Sequence, residues 1–90
     1  MPSPQTEAQL KKVGRRIAEL RQGAELTQEQ LAAKLKITLK YLQRVEAGRH
    51  NLSVDSLVRF SRVLKAEPKA LFEEPRTLMV NVGRPRKRAL

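Results

Sequence analysis

Three short stretches of this chain repeat one local pattern: an apolar residue, a hydroxyl residue, then a turn of helix-compatible sequence containing a second apolar residue. They are Leu26-Thr27 before Gln28-Glu29-Gln30-Leu31, Ile37-Thr38 before Leu39-Lys40-Tyr41-Leu42, and Leu52-Ser53 before Val54-Asp55-Ser56-Leu57. A threonine or serine in this position accepts a hydrogen bond from the free backbone N–H groups that open a helix. The apolar residue outside packs on the one inside the first turn, and Gln30 adds the reciprocal bond of a capping box. The pattern predicts helices over 28–35, 39–47 and 54–65. Helices as short as the first two are not stable alone in water, so they must share a core. Between them, Lys36-Ile37-Thr38 leaves room only for a tight corner.

The flanks extend the same reading. Thr6 with Gln9 fits a capping box, and Leu10, Val13, Ile17 and Leu20 follow at helical spacing, ending near Gly23. The polar faces of this first helix carry Lys11, Lys12, Arg15, Arg16 and Arg21. Gly48 is placed to close the third helix in a left-handed conformation. Pro68 opens a last short helix, 68–73, and Pro75 ends it. Leu31, Ala32, Leu35, Leu42 and Val45 should meet Ile17, Leu57 and Phe60. The expected fold is all-α: a compact five-helix bundle with a tight helix-turn-helix at its centre.

A chain of 90 residues holds one small domain. Residues 1–5 read as a flexible lead and 6–75 as the domain. Aromatic residues make up 3% of the chain, so the core has to be aliphatic. There is no cysteine, and His50 is the only histidine, so neither a disulfide framework nor a zinc ligand set is offered. No phosphate loop or nucleophile arrangement appears, and no cofactor or enzymatic activity is expected. The N-terminal stretch lacks the apolar core of a signal peptide, and no run reaches membrane-spanning length. A cytoplasmic protein is expected. Nineteen Lys and Arg against nine Asp and Glu give a net charge of +10, which calls for a polyanionic partner, nucleic acid before membrane.

Beyond Pro75 the texture changes. Leu78, Val80 and Val82 alternate with Thr77, Met79 and Asn81, a short strand signature over 76–82. A lone strand does not survive by itself. This arm either pairs, most simply with its copy in a second chain, or stays disordered. Residues 83–90 read as a flexible basic tail. Its Gly83-Arg84-Pro85 followed by Arg86, Lys87 and Arg88 resembles the core of an AT-hook, although Val82 stands where a basic residue is usual. Narrow A·T-rich minor grooves attract arginine, and the same charges attract phosphate of any sequence.

Gln28-Glu29-Gln30-Leu31-Ala32, Ile37, Leu42 and Val45-Glu46-Ala47-Gly48, with Leu20-Arg21, Asn51-Leu52-Ser53, Leu57 and Leu71-Phe72, resemble in order the Cro and phage-repressor type of helix-turn-helix regulator. The resemblance spans residues 9–74. It departs at Lys36, where the family usually has glycine. The resemblance implies a lambda-repressor-like bundle and sequence-specific binding of double-stranded DNA, usually as a homodimer on an inverted repeat, with helix 39–47 in the major groove. Carried over by position, Leu39, Lys40 and Arg44 face base edges. Gln28, Tyr41, Arg49, His50 and Asn51 approach phosphates, and Lys36 adds a charge near the backbone. Glu46 is instead expected to tie its helix to a basic neighbour such as Arg21. Phage repressors, restriction–modification controllers and antitoxins share this core. The alternative is therefore an antitoxin or another module that binds a second protein, such as a toxin, with DNA secondary.

Overall fold

A computed structural model describes residues 2–76. Four α-helices follow in order: α1 Pro4–Gly23, α2 Gln28–Leu35, α3 Leu39–Glu46 and α4 Val54–Val63. A 3₁₀ segment, Pro68–Phe72, closes the domain. The expected all-α architecture is present, and its fifth element is this 3₁₀ segment rather than an α-helix. No strand occurs among the described residues. The arm expected over 76–82, apart from Arg76, and the tail expected over 83–90, with Arg84, Arg86, Lys87 and Arg88, lie outside them.

All three repeated starts are capped by their hydroxyls. Thr27, Thr38 and Ser53 accept from the N–H groups of Gln30, Tyr41 and Ser56 at 3.0 Å each. Gln30 Oε1 accepts from Thr27 N–H at 2.9 Å, which completes the capping box. The first helix starts earlier than its sequence suggested. Ser3, not Thr6, is the cap: its Oγ accepts from Thr6 N–H at 3.1 Å, and Pro4 takes the first helical position. Proline is favoured there because its missing N–H would have lacked a partner anyway. Pro4 and Gln5 are thus helical and not part of a loose lead.

The helix ends differ from expectation for one reason. The residue that turns the chain is left-handed after every α-helix: Glu25 (φ 62°), Lys36 (φ 59°), Gly48 (φ 76°) and Lys65 (φ 58°). Only Gly48 announces itself in the sequence. Helix α4 therefore ends at Val63 rather than 65, with Ala66 N–H donating back to Ser61 C=O at 2.9 Å. At the central corner, Ile37 N–H donates to Ala32 C=O at 3.0 Å. That bond and the Lys36 conformation set the angle between α2 and α3.

The core is aliphatic: Val13, Ile17, Leu31, Ala32, Leu42, Val45, Leu64 and Leu71 are buried, with Phe60 the one aromatic. Leu35 and Leu57 sit half-buried at its margin. Helix α1 contacts α3 and the 3₁₀ segment, while α2 packs on α3 and α4. Gly14 explains the closeness of α1 to α3. A Cβ there would lie 2.4 Å from the Val45 carbonyl oxygen and 2.7 Å from that of Glu46.

Two arginines expected on the polar face of α1 are buried instead. Arg16 donates from Nε to Ala70 C=O at 2.9 Å and from Nη2 to Glu73 at 2.8 Å. It thereby binds the 3₁₀ segment to α1. Arg21 turns toward α3. Charge on a helical wheel is assigned to solvent by default, and here each guanidinium has enough acceptors to be held inside. No helix among the described residues is long and apolar enough to cross a membrane.

Candidate nucleic-acid interface

Helix α3 divides cleanly. Leu42 and Val45 are buried and Leu39 is half-buried, while Lys40, Gln43 and Arg44 are exposed. The spacing of three and four residues puts those exposed side chains on one face. Gln43 was missed by sequence reasoning. Its place three residues after Lys40, beside it on the wheel, is the signal that would have found it.

This face is short of negative charge. Residues 36–53 hold four basic residues, Lys36, Lys40, Arg44 and Arg49, and one acid, Glu46. Glu46 is turned inward. Arg21 Nε donates to its Oε2 at 2.7 Å and Nη2 to its Oε1 at 3.2 Å, the two-pronged geometry that suits a guanidinium and a carboxylate. The side chains are 8% and 6% exposed. Arg21 Nη1 also donates to Leu26 C=O at 2.9 Å, so α1, α3 and the loop before α2 meet at one guanidinium. The expected Glu46–Arg21 pairing is present.

Gln28 joins the same cluster. Its Nε2 donates to Glu46 Oε1 at 2.9 Å, which fixes the first residue of α2 against the last of α3. A Gln28 side chain held this way keeps its amide oxygen and second N–H for other partners. Tyr41 is half-buried, and its ring meets that of His50 edge-on with centroids 4.6 Å apart. The two residues expected to approach phosphate thus support each other. The start of α3 is braced against the loop that follows it. In that loop Arg49 and Asn51 are exposed, and Lys36 is exposed at the corner on the other side of α3.

Leu39, Lys40 and Arg44 therefore share one short helix. Gln28 and Tyr41 are tethered by named partners, and Lys36, Arg49, His50 and Asn51 occupy the turns on either side. The arrangement is a short helix with basic and amide side chains exposed. It has the dimensions of an element that enters a duplex major groove, about 12 Å wide. Among the described residues no three His, Cys, Asp or Glu side chains gather as a metal site.

The family model described as a helix-turn-helix domain matches residues 12–74. Among solved structures, the chain is similar to the restriction-modification controller protein C.AhdI from Aeromonas hydrophila. Identity there is 37% and the TM-score 0.69, covering 72% of this chain and 98% of that one. It also shares its fold with the hypothetical transcription factor NHTF from Neisseria, at 22% identity and TM-score 0.68, covering 83% of this chain and 84% of that one. No curated protein sequence matches.

Proposed function

The chain belongs to the helix-turn-helix domain family, and from that premise we propose that it is a DNA-binding transcription regulator that reads a duplex with α3. The outward face of Lys40, Gln43 and Arg44 carries this reading, because Glu46, the one acid of residues 36–53, is neutralised inside by Arg21. Arg44 pairs with a guanine edge through two parallel hydrogen bonds, Lys40 reaches a base or a phosphate, and Leu39 lies against a thymine methyl. Gln28, Lys36, Tyr41, Arg49, His50 and Asn51 hold the backbone on both sides of the groove. Two copies bind an inverted repeat with half-sites about one helical turn apart. The basic tail adds phosphate contacts. Likeness to a restriction–modification controller supports placing the chain among such small regulators rather than among modules that only bind protein.

Selection of bound duplexes from a random pool, with the full chain at moderate salt, tests the proposal. Two matching half-sites in inverted orientation are expected. Recovery of unrelated sequences with uniform affinity would overturn sequence-specific reading, and a single half-site would overturn the dimer.

A further inference from the structure

Gln28 opens α2 and is half-buried beside the last residue of α3. Its Nε2 donates to Glu46 Oε1 at 2.9 Å. A carboxylate only accepts hydrogen bonds, so Glu46 decides which way the amide faces: the NH₂ group toward it, the carbonyl oxygen away. The same Oε1 accepts from Arg21 Nη2, and Oε2 accepts from Arg21 Nε. Side chains of α1, α2 and α3 thus meet at one buried carboxylate. The amide nitrogen carries two N–H donors, and Glu46 takes one of them. The other is left for an acceptor beyond the cluster.

We propose that Glu46 and Arg21 are positioning residues for DNA binding. Glu46 holds the Gln28 amide so that its second N–H donates to a backbone phosphate. Arg21 cancels the charge that Glu46 would otherwise set beside that phosphate. This role rests on the DNA-binding reading given above, and it falls on two side chains that touch no DNA themselves.

Two physical effects make the tether matter. A loose glutamine amide turns freely, and its oxygen repels a phosphate as readily as its N–H groups attract one. An amide held in advance loses less freedom on binding. The second effect is electrostatic. Phosphate and carboxylate would accept from the two hydrogens of one nitrogen, so the two anions lie close together and repel. The Arg21 guanidinium, bonded to both carboxylate oxygens, offsets that repulsion. A phosphate contact carries no base information, so all sequences should feel its loss alike.

A double-mutant cycle on DNA affinity tests the coupling. Gln28→Ala is made in the native chain and in the Arg21→Met/Glu46→Leu chain. Each is measured on the selected duplex and on an unrelated one, at a temperature where all variants are folded. In the native background Gln28→Ala should weaken both duplexes about tenfold, the loss of one hydrogen bond to a charged group. In the Arg21→Met/Glu46→Leu background the same change should cost under about threefold, because the amide is no longer aimed. Equal costs in the two backgrounds overturn the positioning role and leave Gln28 an independent contact. No cost in the native background removes Gln28 from the phosphate and overturns the proposal, while sequence reading by α3 is still judged by duplex selection.

A second measurement needs neither variant nor DNA. In the full native chain one of the two Gln28 side-chain amide protons should be shifted downfield and slowed in exchange by its bond to Glu46. Added duplex should then move the other. If both protons behave like those of the exposed Gln43, the orientation is wrong and the proposal fails, whether or not the duplex binds.

Discussion

Arg21 and Glu46 join the C-terminal end of α1 to that of α3 through two charge-assisted hydrogen bonds of 2.7 and 3.2 Å. The pair is removed from water, and each charge depends on the other for its solvation. Removing one partner of a buried pair costs more than the pair contributes, because the other charge is left without compensation. Glu46→Ala should therefore lower unfolding stability by roughly 3–5 kcal/mol. Denaturant titration measures it. Replacing both residues, Arg21→Met with Glu46→Leu, should recover most of that loss. If the double variant is as unstable as Glu46→Ala, the uncompensated charge is not the cause.

Gly14 and Gly23 lie on the same helix and predict opposite outcomes. An alanine Cβ at Gly14 would meet the Val45 and Glu46 carbonyls at 2.4 and 2.7 Å. Those are backbone atoms, so α3 itself must move. Gly14→Ala should destabilise the fold by about 1–3 kcal/mol, the usual range for overpacking. At Gly23 an added Cβ meets nothing. Gly23→Ala should raise stability by about 0.5–1 kcal/mol through helix propensity. Thermal unfolding of the two variants side by side reads the difference. Equal effects would mean that α1 does not approach α3 as closely as described.

The contrast between these glycines shows where the sequence was legible and where it was not. Helix starts were readable because a hydroxyl cap is a local device: Thr27, Thr38 and Ser53 act within three residues of themselves. Helix ends were harder, because Glu25, Lys36 and Lys65 adopt the left-handed conformation without being glycine. Each is followed by a residue whose N–H bonds back into the helix, Leu26 to Arg21, Ile37 to Ala32 and Ala66 to Ser61, and this backbone closure leaves no mark on side-chain type. Leu42 and Val45 were assigned to the core by spacing, and Arg44 to the outward face by the family resemblance. Burial of Arg16 could not be read that way, since its acceptors, Ala70 and Glu73, lie 54 and 57 residues away. The Tyr41–His50 contact was equally silent, because two residues each assigned to phosphate do not signal that they touch.

Lys36 combines backbone strain with a charge that can be tested separately. A left-handed conformation costs a residue with a Cβ roughly 1–2 kcal/mol, and glycine avoids this while losing more chain entropy on folding. Lys36→Gly should stabilise the domain by up to about 1 kcal/mol, whereas Lys36→Ala keeps the strain. Both remove one cation beside the proposed DNA backbone. The slope of log affinity against log salt should fall by about 0.9 for either variant, if Lys36 neutralises one phosphate. An unchanged slope would remove Lys36 from the contact set.

Arg44 and Leu39 make distinct predictions about the same groove. Arg44→Ala should relax preference at one or two positions of the selected site, at roughly 1–3 kcal/mol each, rather than weaken every sequence equally. Leu39 is half-buried at the tip of α3, so only part of its side chain is left to meet DNA. An apolar side chain at such a position discriminates through the thymine methyl, which uracil lacks. Replacing each thymine of the half-site with uracil in turn should weaken native binding at one position. With Leu39→Ala the native and uracil duplexes should bind alike at that position. A uracil penalty that survives Leu39→Ala would assign the methyl contact to another residue, and no penalty at any thymine would leave Leu39 to packing alone.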